Sequence, residues 1–261
     1  MKNFNYKNAS NTKEATKLFS NKAAFLAGGM TLLPAIKLRL AAYSDLVNIK
    51  KIKSLSGIKV SNKSVKIGST TTHATVALSK EIKKTIPSLA TLAEGIGDPQ
   101  VRNRGTIGGS IANNDPAADY PSACLALNAT IHTSKRKISA DKFFKGMFET
   151  DLKKGELIEV IEFEVPEKAS YAKFPNPASR YAIVGVYVAQ LKKEVRVAVT
   201  GVESCVFRCK KLEEALSNNF STSAIDNINI SSKGFNSDIH ASADYRAHII
   251  KVMAKKAVSA C

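Results

Sequence analysis

Two double glycines, Gly28-Gly29 and Gly108-Gly109, constrain this chain more than any other feature of its sequence. The first follows an apolar segment, residues 23–27, that has the composition of a buried strand. The second lies in a stretch rich in glycine and small polar residues, 94–110, which predicts a loop wrapped around an anion. Because glycine has no Cβ, the backbone at both places can approach a ligand closely.

Backbone N–H groups that converge on one point bind phosphate, and the hydroxyl groups of Thr31, Thr106 and Ser110 would add donors. A double glycine after a strand is by itself more often a tight turn than a phosphate site. Neither motif has the Rossmann spacing G-x-G-x-x-G or the P-loop spacing G-x-x-x-x-G-K-[ST]. Binding of a nicotinamide dinucleotide or a nucleoside triphosphate through those motifs is therefore disfavoured.

The length and apolar content of the chain predict a main domain followed by a smaller one. The chain has 261 residues, of which 44% are hydrophobic, and is near the length at which one core divides into two. Polar segments, proline and the spacing of apolar residues set the expected elements. These are a helix after a cap at 10–11, a hairpin over 58–67, a helix over 72–92 broken at Pro87, and strands at 129–132 and 157–165.

The second half of the chain predicts a hairpin backed by helices. Residues 168–177 form a short polar, proline-bearing stretch that marks the expected domain boundary. Two apolar runs, 181–190 and 195–200, flank a charged turn, which is typical of a hairpin. A helix is expected over 210–216, and a last helix is expected to begin at Ser242 as its N-cap.

Composition limits the classes of function. Lys+Arg 39 against Asp+Glu 22 gives a formal charge of +17, but the lysines are scattered, which favours a solvated basic surface over a nucleic-acid site. Four scattered cysteines and four isolated histidines predict no metal or iron–sulfur site on this chain. With no apolar run of membrane-spanning length and no leader pattern, a cytoplasmic location is expected.

The two glycine motifs lie in longer segments. They read Ala-Gly-Gly-Met-Thr-Leu-Leu-Pro over 27–34 and Gly-Thr-Ile-Gly-Gly-Ser-Ile-Ala-Asn-Asn-Asp-Pro-Ala-Ala-Asp-Tyr-Pro over 105–121. They are similar to the two FAD loops of the flavoprotein subunits of molybdenum hydroxylases, the xanthine dehydrogenase and carbon monoxide dehydrogenase type. Residues 67–72 resemble the exit of the family's hairpin, and 238–255 resemble the C-terminal helix of the carbon monoxide dehydrogenase medium subunit.

The resemblance implies an FAD-binding PCMH-type domain over 1–170, built of α+β subdomains at about 1–57 and 58–170. A small C-terminal domain of the carbon monoxide dehydrogenase type, with an antiparallel sheet and helices, would follow over 171–261. The diphosphate would lie on both glycine loops, with Asp119 on the ribityl or ribose side and Lys173 and Tyr181 near the flavin. The implied FAD contacts are Ala27, Gly28, Gly29, Met30, Thr31, Leu32, Leu33, Thr106, Ile107, Gly108, Gly109, Ser110, Asp119, Val160, Lys173 and Tyr181.

The family's function implies that this chain relays electrons through FAD from iron–sulfur clusters on a partner to an external acceptor such as a quinone or NAD. The implied partners are a molybdopterin-binding large subunit and a [2Fe-2S] small subunit, in a dimer of heterotrimers. Two alternatives remain open at this point: an autonomous flavin oxidase of the same fold, and a basic nucleic-acid-binding module. No catalytic residue and no membrane span are expected on this chain.

Overall fold

The structure is a computed structural model that describes residues 2–261, and its first region is a small parallel sheet flanked by two helices. Its elements are β1 (Asn5–Asn8), α1 (Thr12–Leu18), β2 (Ala23–Leu26), α2 (Leu32–Lys37) and β3 (Asp45–Asn48). The strand order is β1-β3-β2 with both pairings parallel, so β3 is central and buried along its whole length. Asn11 begins α1 by accepting the Glu14 N–H at 2.9 Å, which confirms the predicted cap.

The second region contains a five-stranded antiparallel sheet. Its elements are β4 (Ile58–Val60), β5 (Ser64–Gly68), α3 (His73–Leu78), α4 (Lys80–Thr85), α5 (Pro87–Glu94), α6 (Pro99–Arg104), α7 (Ile107–Asn113), α8 (Tyr120–Ala126), β6 (Thr130–Thr133), β7 (Lys137–Ser139), α9 (Ala140–Phe143), β8 (Phe144–Gly146), β9 (Glu149–Thr150) and β10 (Ile158–Glu164). The sheet order is β4-β5-β10-β6-β7, and β8 and β9 form a separate hairpin. The predicted hairpin over 58–67 and the strands at 129–132 and 157–165 are confirmed.

The third region is a four-stranded antiparallel sheet with two helices. Its elements are β11 (Lys168–Pro175), β12 (Ala182–Gln190), β13 (Val195–Thr200), β14 (Phe207–Arg208), α10 (Lys210–Asn218) and α11 (Ala243–Ser259). The strands follow one another in the order β11-β12-β13-β14. Ser242 caps α11 by accepting the Tyr245 N–H, as predicted. The hairpin and both helices expected in this half are confirmed.

The central strands of the third sheet are buried on both faces. Val186 and Val197 pack into a core with α10 and α11, whereas Tyr187 and Ala198 pack against the core of the second region. A strand covered on both faces needs apolar side chains at successive positions, which explains the continuous apolar runs of β12 and β13. The same arrangement places α8 directly against this sheet.

One expectation from the sequence is wrong. The glycine-rich stretch 94–110 is not one loop, because α6 and the start of α7 lie in it. Asp98 caps α6 ahead of Pro99, and Thr106 caps α7, so local capping outweighs the glycine content. In the polar stretch 168–177, where the domain boundary is expected, residues 168–175 form strand β11, since pairing with β12 provides partners for their backbone.

The helix expected over 72–92 breaks at Pro87 as predicted but also breaks earlier, at Ser79. The Ser79 backbone is extended, and its hydroxyl accepts the Ile82 N–H at 3.2 Å to begin α4. Within residues 2–261, no helix is both long and apolar enough to cross a membrane.

Candidate functional site

The two glycine segments meet at Gly28. A Cβ added at this position would overlap with the carbonyl oxygen of Arg104 and would lie 2.9 Å from the Cα of Gly105. Only glycine therefore permits the end of β2 to contact the backbone that leads into α7. The two segments that the sequence predicts to share a ligand are adjacent in the fold.

The first segment offers a run of free backbone donors. Within the part of the chain that the structure describes, no N–H group of residues 27–32 has a protein acceptor. Thr31 stands at the N-cap position of α2, but its hydroxyl oxygen accepts no hydrogen bond from the helix backbone. Gly29 has a φ of 73°, and this left-handed backbone turns the chain from β2 into α2. Since most of this segment is half-buried or exposed, its amides remain accessible to a ligand.

The second segment differs, because its amides are already bonded within the protein. The Ile107 N–H donates to the Thr71 carbonyl at 3.1 Å, and the Gly108 N–H donates to the Ser69 carbonyl at 2.9 Å. The Gly109 N–H donates to the hydroxyl oxygen of Thr106, and the Ser110 N–H donates to the Thr106 carbonyl. This is a departure from the expectation that both loops present free N–H groups.

The two glycines of the second segment face different surroundings. A Cβ on Gly108 would lie 2.5 Å from the Cβ of Ser69 and 2.6 Å from its carbonyl oxygen. Gly109 is exposed, and a Cβ there would contact only the hydroxyl of Thr106, at 2.9 Å. Gly108 is therefore required by packing, whereas Gly109 presents a bare backbone surface outward.

Residues 69–73 form hydrogen bonds both to the segment that follows the first region and to the second glycine segment. The sequence analysis did not predict this role. Thr70 donates its hydroxyl to the Leu55 carbonyl at 2.9 Å, and the Thr71 hydroxyl exchanges hydrogen bonds with the backbone of Gly57. The same segment bonds to the backbone of 105–108, including the His73 N–H to the Gly105 carbonyl at 3.0 Å. The available signal was the small polar run directly after the hairpin.

The buried side chain of His73 packs against Gly105, at the start of the second segment. Its Nε2 would lie 2.6 Å from a Cβ on Gly105, and its ring centroid is 5.3 Å from that of Tyr120. Burial, with the charge of Arg102 nearby, lowers the pKa of His73 to about 4. The imidazole is therefore neutral at physiological pH.

Asp119 is a buried carboxylate with two side-chain partners. The Tyr171 hydroxyl donates to it, and the Lys173 ammonium lies 3.1 Å from it. Burial raises the pKa of Asp119, and the charge of Lys173 and the hydrogen bond from Tyr171 partly offset that increase. Asp119 stands at the N-cap position of α8, but its carboxylate accepts no hydrogen bond from the backbone of that helix.

Lys173 and Tyr181 lie in the third region, next to the turn before α6. Lys173 also donates to the carbonyls of Gly95, at 2.8 Å, and Arg180, at 3.0 Å. Tyr181 is 43% exposed, and the pKa of its hydroxyl is raised by partial burial and by the charges of Asp115 and Asp119. The structure thus brings Asp119, Lys173 and Tyr181 into one cluster.

Val160 is placed differently from that cluster. It lies on β10, half-buried, opposite Gly68 on β5, and the neighbouring Glu159 carbonyl accepts the Ser69 N–H at 2.9 Å. It is connected to the second glycine segment through Ser69 and Gly108.

Asp98 and Arg102 hold the backbone ahead of the second glycine segment in place. Asp98 accepts the Val101 N–H at 2.8 Å, and Arg102 donates to the carbonyls of Ile96 and Gly97. Both side chains are thus committed to shaping the turn that precedes α6.

Comparison with protein families matches residues 2–167 to the family described as "FAD binding domain in molybdopterin dehydrogenase". The chain belongs to this family. Its cofactor is FAD, and it is the FAD-binding component of an oxidoreductase.

Members of this FAD-binding family with curated names match almost the whole chain. The chain is 35% identical to the glyceraldehyde dehydrogenase medium chain of Sulfolobus acidocaldarius, over 97% of this chain and 96% of the relative. It is 32% identical to the carbon monoxide dehydrogenase medium chain of Hydrogenophaga pseudoflava, over 98% and 96%. Among solved structures, carbon monoxide dehydrogenase from Oligotropha carboxidovorans matches with a TM-score of 0.92 at 27% identity, covering 99% of this chain and 97% of that one.

The FAD-binding family's cofactor fits the geometry of the two glycine segments. A diphosphate is an anion that accepts hydrogen bonds. The unbonded N–H groups of residues 27–32 can donate to it, and because these donors are uncharged the protein does not have to desolvate a charge to supply them. The bare backbone at Gly109 leaves room for close approach. Residues 2–261 contain no group of three or more His, Cys, Asp or Glu side chains that could hold a metal ion.

Proposed function

We propose that this chain is the electron-relaying FAD subunit of a molybdenum hydroxylase. Electrons arrive from iron–sulfur clusters on a partner chain, pass through FAD, and leave to an external acceptor such as a quinone or NAD. Bound flavin supplies the ability to exchange electrons singly or in pairs, while the protein supplies position and electrostatics.

One observation carries the proposal: a run of unbonded amides, 27–32, lies directly against the segment that leads to the exposed Gly109. Residues 27–33 and 106–110 hold the diphosphate between them, the first as donors and the second as a bare surface with hydroxyl groups. This division of roles explains why the two segments have different hydrogen bonding although both contain a double glycine.

The remaining proposed contacts orient the rest of the cofactor. Asp119 accepts a hydrogen bond from a ribityl or ribose hydroxyl, while Tyr171 and Lys173 hold its carboxylate in place. Lys173 places a positive charge near the flavin, which favours an anionic ring. Tyr181 and Val160 supply apolar contacts from the third and second regions.

The proposed partners are a molybdopterin-binding large subunit and a [2Fe-2S] small subunit, in a dimer of heterotrimers. The relatives' names support this arrangement, since they are medium chains of glyceraldehyde dehydrogenase and carbon monoxide dehydrogenase. The substrate chemistry takes place on the large subunit. All four cysteines are free thiols, which supports the proposed cytoplasmic location.

Reconstitution with FAD tests the proposal. The purified chain is expected to be yellow or to become so on addition of FAD, and Gly109→Val is expected to lose the flavin while keeping the wild-type circular dichroism spectrum. The protein denatured in acid should release unmodified FAD, whereas a covalently bound flavin would favour an autonomous oxidase. A colourless protein that binds nucleic acid with steep salt dependence would reject the proposal.

Pull-down of the tagged chain from its own cells tests the assembly. A large molybdenum-containing chain and a small cysteine-rich chain are expected to be recovered with it. Recovery of the flavin-loaded chain alone, under conditions that preserve relatives' complexes, would contradict the proposed partners but not the binding of FAD.

A further inference from the structure

The side chains of two of the eight arginines, Arg39 and Arg104, have neither a hydrogen-bond nor an ion-pair partner within residues 2–261. The other six each donate to a backbone carbonyl or to a carboxylate. Both unpaired side chains are exposed, and each belongs to a segment next to one of the glycine motifs.

Arg104 stands where the two glycine segments touch. Its carbonyl oxygen contacts the Cα side of Gly28, and its residue is the last of α6, two positions before Thr106. An anion on the free amides of Gly28 and Gly29 is therefore within the reach of the flexible guanidinium of Arg104. Arg39 lies beyond the C-terminal end of α2, about 9 Å along the helix axis from the amides.

The proposed FAD contacts lack a cation that is free to meet the diphosphate. Lys173 is the one basic residue among them, and its ammonium already donates to the Gly95 carbonyl, the Arg180 carbonyl and Asp119. Arg102 donates to the carbonyls of Ile96 and Gly97. Backbone amides supply hydrogen bonds but no net charge, so neutralisation of the diphosphate needs another group.

We infer that Arg104 binds the diphosphate of FAD and neutralises its charge, an inference that rests on the proposed function of the two glycine segments. Arginine suits this role because its planar, permanently charged group donates paired hydrogen bonds to phosphate oxygens. In the absence of FAD the side chain stays in solvent, since no carboxylate within residues 2–261 pairs with it. The motif preceding α7 thus contributes a charge while the motif preceding α2 contributes donors.

The test compares Arg104→Gln, Arg104→Lys and a matched control, Arg39→Gln, in the full chain. Arg39→Gln removes an equally exposed, unpaired arginine near the first motif. The dissociation constant for FAD is measured by quenching of flavin fluorescence at several NaCl concentrations. Arg104→Gln is expected to weaken FAD binding about tenfold or more and to reduce its salt dependence, because a charge-assisted hydrogen bond is lost. Arg104→Lys should recover part of the affinity, and Arg39→Gln should behave as wild type.

Three outcomes would overturn the inference: Arg104→Gln within twofold of wild type, an unchanged salt dependence, or equal losses for the lysine and glutamine variants. Melting temperatures within error of wild type show that the variants remain folded. Wild-type protein that binds no FAD at all would instead reject the proposed function. The two failures are therefore distinguishable.

Discussion

The ammonium group of Lys173, on β11, lies 3.1 Å from the carboxylate of Asp119 at the start of α8. Both groups are largely buried, with side-chain exposures of 11% and 5%. Because Asp119 precedes the helix that packs on β12 and β13, the pair links the second region to the third at the proposed flavin site.

Lys173→Met is expected to destabilise the chain by about 3 kcal/mol at neutral pH, because the carboxylate of Asp119 would remain buried without its cation. Urea unfolding followed by circular dichroism measures the change. The double variant Lys173→Met/Asp119→Asn should recover part of the loss, since the buried charge is also removed. A double variant no more stable than the single one would contradict this reading of the pair.

Gly28→Ala is expected to weaken FAD binding at least about tenfold, since the added methyl group must push the residue 104–105 backbone away from the amides it faces. FAD titration measures the effect. Gly146→Ala is the control, because its Cβ would meet its nearest atom at an ordinary 3.6 Å. Equal FAD affinity in wild type and Gly28→Ala would show that the spacing of the two segments is unimportant.

Alanine at the two glycines of the second segment should separate folding from binding. Gly108→Ala is expected to lower the melting temperature, because its Cβ would overlap with Ser69. Gly109→Ala should leave the flavin-free protein close to wild type in stability but weaken FAD binding. Differential scanning fluorimetry with and without FAD provides both values. The prediction fails if both variants lose stability equally.

Acid should destabilise the flavin-free chain partly through His73. Its pKa is about 4 in the folded state against 6.5 in the unfolded chain, so between these values the unfolded state binds more protons. The free energy of unfolding therefore falls as pH drops from 6.5 towards 4, by about 3 kcal/mol from this residue. His73→Leu lacks this contribution, and the difference between wild type and variant, measured by urea unfolding at pH 7 and 4.5, should show it. Parallel pH dependence in the two proteins would exclude it.

Local signals in the sequence were sufficient for most elements. The caps at Asn11 and Ser242, the polar turns of both hairpins, and the break at Pro87 depend on contacts within a few residues. Where two kinds of local signal conflicted, glycine content against helix caps, the prediction was wrong. In 94–110 glycine content suggested a loop, yet the Asp98-Pro99 and Thr106 caps produced helices.

The sequence by itself determined the α+β class, the two glycine segments and the family, since these follow from short-range patterns and long motifs. Tertiary structure alone decided which amides are free. Within residues 2–261, the N–H groups of 27–32 have no partner, whereas the first two of α7 are bonded to Thr71 and Ser69. It also decided that Lys173 meets Asp119 across 54 residues of chain. Hydrogen bonding and burial at these positions depend on segments that become neighbours only when the sheets pack, so no local pattern encodes them.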